Sequence, residues 1–186
     1  MRSLYLGPWR IDVEWRDDVP RLLPATVLAR AAAAALSAAG APGPASLGLI
    51  LSDDAELGDL NAAHMSKDGP TDVLSFPLLP PEAYPPHPGK AKAAGTGPTA
   101  AFPLPPGTRP HLGDVIVSVE RAVGQADAGR GGQTGDVRWD ARDELRLLVT
   151  HGTLHVCGWD HAEPDEEAAM RALEHTLLAG APSREA

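Results

Sequence analysis

The chain of 186 residues has one cysteine, Cys157, and so cannot form an internal disulfide. It also has no apolar run near the ~20 residues that a membrane-spanning helix needs. Its longest weakly apolar stretch, Ala31 to Ala35, lies inside a helical pattern rather than behind a charged leader. Together these absences make the cytoplasm the expected compartment. Basic charge is scarce as well, with 16 Lys and Arg against 25 Asp and Glu, a formal net charge of −9. Tight binding of nucleic acid through general attraction to phosphates needs the opposite balance, so any polyanion must be held locally or delivered by a partner. The length suffices to bury roughly 70% of the surface an unfolded chain exposes, which makes one domain over 1–186 the default expectation.

What is present is a run of short periodic segments. Arg10 to Trp15 alternates Ile11, Val13 and Trp15 with Asp12 and Glu14, as a half-buried strand does. Pro20 to Ala39 reads as an alanine-rich helix stopped by Gly40, with Pro24 near its first turn. Leu47 to Leu51 is a short apolar strand, and Ser52 opens an acidic helix start that runs to about Ala63. Val73 to Phe76 and Asp114 to Val119 are further strands. Asp140 to Val156 is a core helix, and Glu163-Pro164-Asp165 opens a last helix packing through Ala169, Met170, Leu173 and Leu177. Strands early and helices late predict an α+β fold, a small mixed sheet with helices packed on it and a metal-binding helix in the C-terminal half.

Two segments break the pattern. Residues 78–110 hold ten prolines and four glycines and offer almost no repeating apolar face. They read as an insertion between two paired strands that is largely disordered or extended and adds little to the core. Gln125 to Asp140, with Gly129, Gly131, Gly132 and Gly135, reads as a second such loop.

The segment His151-Gly-Thr-Leu-His155-Val-Cys-Gly158-Trp-Asp-His161 carries the chemistry. His151 and His155, four apart, share one face of a helix. Gly158 can take a left-handed conformation, end the helix and turn the chain so that His161 reaches the same point. Three neutral imidazoles leave one position of a tetrahedral Zn²⁺ open, the arrangement of catalytic zinc, and one Zn²⁺ per chain is expected. A lone i, i+4 pair of histidines is usually packing; the third, beyond a Gly, points to metal. The residue after His151 is Gly152, so the Glu that zinc peptidases use as general base is missing and a peptidase is disfavoured. Cys157, two residues after His155, faces away and is better read as an apolar filler. His64, His87, His111 and His175 lack partners at ligand spacing, although His64 can line the site through the Thr71-Asp72 turn.

Three segments in order resemble the bacterial YbeY family. Leu60-Asn61, Lys67-Asp68 and Pro70-Thr71-Asp72-Val73-Leu74-Ser75-Phe76-Pro77 resemble its L-N…P-T-[DN]-V-L-S-F-P signature. Leu112 to Ser118 resembles its L-G-D strand, and His151 to His161 its metal motif. The resemblance implies a single-strand-specific metallo-endoribonuclease of ribosome quality control and of small-subunit ribosomal RNA 3′-end maturation. It implies zinc at His151, His155 and His161, ribosomal RNA as substrate, and a small-subunit ribosomal protein and an assembly GTPase as partners. Where the family carries an Arg five residues after the Leu of L-N, this chain has Met65. Lys67 is therefore the candidate phosphate contact, with Arg121, Arg142 and Arg146 as further local cations. Asp160 is the carboxylate nearest the ligands in sequence, read first as a partner orienting an imidazole and alternatively as a general base. Asp72 and Asp114 are read as fixing turns or strand ends. The alternative is a non-catalytic assembly factor or RNA chaperone that retains the metal site.

Overall fold

The structure is a computed structural model that describes residues 1–66, 68–89, 108–128 and 140–179. Five strands, β1 (Arg2–Leu6), β2 (Trp9–Trp15), β3 (Ala45–Ser52), β4 (Val73–Pro77) and β5 (His111–Ser118), form one sheet in the order β1-β2-β3-β5-β4. β2, β3 and β5 run parallel, and β1 and β4 pair antiparallel at the two edges. Around it lie α1 (Ala25–Ala38), α2 (Asp54–Leu60), α3 (Val119–Asp127), α4 (Ala141–Val156) and α5 (Pro164–Ala179). The fold is thus the α+β arrangement with a mixed sheet that the patterning predicts. Among the described residues no helix is long and apolar enough to cross a membrane.

α4 is the centre of the molecule. Leu145, Leu148, Val149 and Leu154 are buried, and the helix packs on β4 and β5 with α1, α3 and α5 around it. The alanines of α1 (Ala29, Ala32 and Ala33) are buried too; their small side chains let that helix lie close to α4. Asp140 starts α4 by accepting from the N–H groups of Arg142 and Asp143 at 2.9 and 3.0 Å.

The structure differs from the sequence reading in particular places. α1 begins after Pro24, because nothing from Pro20 to Leu23 is helical. The strand expected to reach Val119 ends at Ser118, whose hydroxyl accepts from Arg121 N–H and caps the unexpected α3, a helix with only Val119 and Ala122 buried. β1 was also unexpected, since its apolar alternation is limited to Leu4 and Leu6 on either side of the exposed Tyr5. The Pro-rich segment does lie between the paired strands β4 and β5, but its described part, residues 78–89, is not passive. It makes a 3₁₀ turn at Pro81–Ala83 and buries Tyr84, 4% exposed, in the main core. Tyr84, with the partly buried Leu79, docks the segment in the core, and so few apolar residues set up no periodicity that a sequence pattern could register. Residues 90–107 lie outside the described residues, as do 129–139 of the Gly-rich loop, whose first three residues, 125–127, complete α3.

Candidate metal centre

His151 and His155 stand one turn apart at the C-terminal end of α4. The helix ends as Gly158 predicts: its φ is +80°, its N–H donates to His155 O at 3.0 Å, and Trp159 N–H donates to Leu154 O at 3.1 Å. This pair of bonds is the Schellman closure, which satisfies the last carbonyls and reverses the chain. His161 is thereby brought back to the helix end, and one ring nitrogen from each of the three histidines lies within 4.8 Å of the others.

The hydrogen bonds orient two of the imidazoles. His155 Nδ1 lies 2.8 Å from Trp159 O, and a carbonyl can only accept, so Nδ1 carries the proton and Nε2 the lone pair. His151 Nδ1 lies 2.7 Å from Glu174 Oε1, which favours the same tautomer. The two Nε2 atoms then face each other at 3.0 Å. Two lone pairs at that separation repel unless a proton or a metal ion stands between them, and the third imidazole beside them matches a metal. Burial, with the neighbouring His151 second, lowers the His155 pKa to about 4, which keeps its lone pair available. Cys157 is fully buried and its thiol is pushed up to about 12 by that burial, as a filler and not a ligand.

Glu174 is the residue that sequence reasoning missed. It sits on the buried face of α5, one turn after Met170, and is 8% exposed. A carboxylate on an otherwise apolar helical stripe was the available signal, since such a charge stays buried only with a partner. Asp160 does not orient an imidazole by hydrogen bonding; its Oδ1 accepts from the backbone N–H of His161 at 2.8 Å. The orienting role expected of it falls to Glu174 and to the Trp159 carbonyl.

Gly152 is a close-contact position. A β-carbon there would stand 2.6 Å from Val115 Cγ1 and 2.7 Å from Val73 Cγ2, so α4 lies flush on β4 and β5. Its carbonyl accepts from Ser75 Oγ at 2.9 Å. A peptidase's Glu is therefore absent from the sequence and has no room in the fold.

The three histidines line an open cleft of about 700 Å³, large enough for a nucleotide-sized group. Its other walls include Met65, Asp72, Ser75, Pro81 and Asp160. Met65, 42% exposed, closes a π-helical turn over Asn61–Met65, and no described Arg or Lys lines the cleft. Lys67 lies outside the described residues. The other candidate cations are engaged or distant. Arg146 is 5% exposed beside Asp143 and Leu178 O, and Arg121 pairs with Asp54 at 3.0 Å. Arg142 lies at the far end of α4, roughly 20 Å from His155 at the helical rise.

Asp72 fixes a turn, accepting from Val73 N–H and Gln125 Nε2 at 2.9 and 3.1 Å. Asp114 pairs with His111 at 3.0 Å outside the cleft walls. His64 packs edge-on against Phe76 and is not a cleft wall, His87 stacks on Trp159, and His175 is exposed.

The chain matches the family model described as Endoribonuclease YbeY over residues 14–181. Proteins of that name are similar to it in several bacteria. That of Thermobifida fusca is 39% identical over 136 residues, covering 73% of this chain and 72% of the relative. That of Salinispora tropica is 41% identical over 137 residues, covering 73% of each. That of Roseiflexus castenholzii is 32% identical over 169 residues, covering 90% of each.

Proposed function

The chain belongs to the Endoribonuclease YbeY family, and on that footing we propose that it is a zinc-dependent endoribonuclease that cuts single-stranded RNA. Its proposed work is small-subunit ribosomal RNA 3′-end maturation and ribosome quality control in the cytoplasm, with a small-subunit ribosomal protein and an assembly GTPase as partners. The observation that carries the reading is the facing pair of Nε2 atoms at 3.0 Å, with both Nδ1 atoms already engaged. In this reading His151, His155 and His161 hold the ion. A zinc ion there supplies Lewis-acid charge to a phosphodiester and to a water beside it.

The chain's own residues do the rest. Glu174 and the Trp159 carbonyl hold the imidazoles in the tautomer that presents Nε2. The cleft admits an unpaired strand from its open side. Asp160, on the cleft wall and next to His161 in sequence, is the candidate carboxylate for proton transfer, and Lys67 is the candidate phosphate contact in place of the Arg that Met65 replaces. Acidic net charge favours delivery of the RNA by a basic partner.

Glu174→Ala strands the Nδ1–H of a half-buried His151, so zinc affinity measured by chelator competition is expected to fall about 10–100-fold, as loss of such an orienting partner does. Glu174→Gln keeps an acceptor and is expected to lose less. Equal affinity in all three proteins would remove Glu174 from the account.

A second reading is favoured by one observation, the absence of a described Arg or Lys from the cleft walls. It holds that the protein is a non-catalytic assembly factor that keeps its metal. Cleavage of a single-stranded RNA by wild type, Met65→Arg and His155→Ala separates the two. A guanidinium makes paired, charge-assisted bonds to phosphate that a thioether cannot make. For the enzyme, wild type is expected to exceed His155→Ala, Lys67→Ala to lose most of that activity, and Met65→Arg to gain at least about tenfold, within the ~10²–10³ of a fully built charge contact. Equal, negligible cutting by wild type, Met65→Arg and His155→Ala would replace the enzyme with the assembly factor.

A further inference from the structure

The described start of the Pro-rich insertion meets the loop that carries His161. Tyr84 fixes the segment in the core, and Pro85 lies against Gly40, where a β-carbon would come within 2.8 Å of the proline ring. The residues on either side of this anchor lie along the ligand loop. Pro81 abuts Gly158, where a β-carbon would stand 3.4 Å from Pro81 Cα. The His87 ring stacks on the Trp159 indole, with centroids 4.2 Å apart and planes 8° from parallel. Gly89 lies so close to that indole that a β-carbon would be 2.6 Å from Trp159 Cε3. Finally, Gly89 O accepts from the N–H of Asp160 at 2.7 Å.

That last bond acts on the site through one peptide group. The N–H of Asp160 and the C=O of Trp159 belong to the same planar trans unit and point in opposite directions. The N–H end is held by Gly89, and the C=O end accepts from His155 Nδ1 at 2.8 Å. Bonds in such a chain polarise one another, so the Gly89 carbonyl both sets the plane of the peptide and strengthens its hold on His155. The indole of Trp159, on the same backbone unit, is clamped by His87 and by the bare face of Gly89.

We propose that Pro81–Gly89 is a positioning strap for the metal-binding loop, with Gly89 fixing the Trp159–Asp160 peptide and through it the orientation and tautomer of His155. This rests on the reading of His155 as a metal ligand, but its structural effect can be read without metal. The strap makes the Pro-rich insertion part of the site's construction: its backbone stands behind a ligand while its side chains stay out of the cleft, Pro81 excepted.

The test uses the full chain with Gly89→Ala, which drives a methyl group into the indole face, and His87→Ala, which removes the stacked ring without adding bulk beside the indole and guards against a folding failure of the first. Metal-free parent is expected to show His155 as the Nδ1–H tautomer by nitrogen NMR, with the Asp160 amide protected from hydrogen exchange. In Gly89→Ala the other tautomer is expected to appear and Asp160 exchange to speed at least about tenfold, with zinc affinity down about 10–100-fold. His87→Ala is expected to shift the same readings less. Should the tautomer and the Asp160 exchange stay at parental values in both folded variants, the strap is overturned, even where zinc binds tightly. Should both shift in a protein that binds no zinc, the strap stands and the metal reading fails.

Discussion

His151→Ala, His155→Ala and His161→Ala are each expected to lose stoichiometric zinc, with apparent affinity down about 10²–10³-fold. Structural zinc sites with four protein ligands bind with roughly 10–16 kcal/mol near neutral pH, so one ligand accounts for roughly 3–4 kcal/mol, and each 1.4 kcal/mol is about tenfold. The three variants are not equivalent. His155 is half-buried and desolvated, and its removal also leaves the Trp159 carbonyl without its donor. His161 is exposed on the loop, so His161→Ala is expected to disturb the fold least while still losing the ion. Chelator competition and thermal unfolding, run on the same preparations, separate loss of a ligand from loss of structure. Binding as tight as the parent's in all three variants would mean that the cluster is not the metal site.

Gly152→Ala is expected to destabilise the protein by about 3 kcal/mol, at the upper end of overpacking costs, and to lower the thermal midpoint by about 6–12 °C. Helix propensity alone argues the other way, since Ala in a helix interior is better than Gly by about 1 kcal/mol. Contact decides the sign. The added methyl group would meet Val115 and Val73, β-branched side chains on the adjacent strands β5 and β4, at 2.6 and 2.7 Å, and neither can step aside without moving the sheet. Because α4 carries two of the histidines, lifting it there also misplaces them. Gly124→Ala in α3, where a β-carbon meets nothing within 4 Å, is the matched control and is expected to be neutral or stabilising. A rise in midpoint for Gly152→Ala would show that α4 does not lie flush on the sheet.

The histidine cluster was legible in the sequence because it is a local object. Two histidines at helical spacing, a Gly that can reverse the chain and a third His within reach need only the geometry of one helix end. The parts that depend on other elements were not legible. Glu174 reaches His151 from α5, and only its place on a buried stripe hinted at a role. The acceptor for His155 is a backbone carbonyl, which every residue type has, so no side-chain pattern indicates it and the sequence points to the neighbouring Asp160 instead. α3 was hidden by having two buried positions, and the docking of residues 78–89 by resting on Tyr84 among prolines. Arg146 looked like a cation free for RNA until α5 covered it.

The central claim, that this histidine trio holds the ion on which RNA cleavage depends, is tested most directly by returning zinc in steps to metal-stripped protein and following cleavage of a single-stranded RNA. Activity is expected to be absent at the start, to rise in proportion to added zinc and to level off at about one equivalent per chain, with no recovery in a His155→Ala preparation carried through the same steps. Cleavage that survives stripping, or that His155→Ala recovers equally, would contradict it.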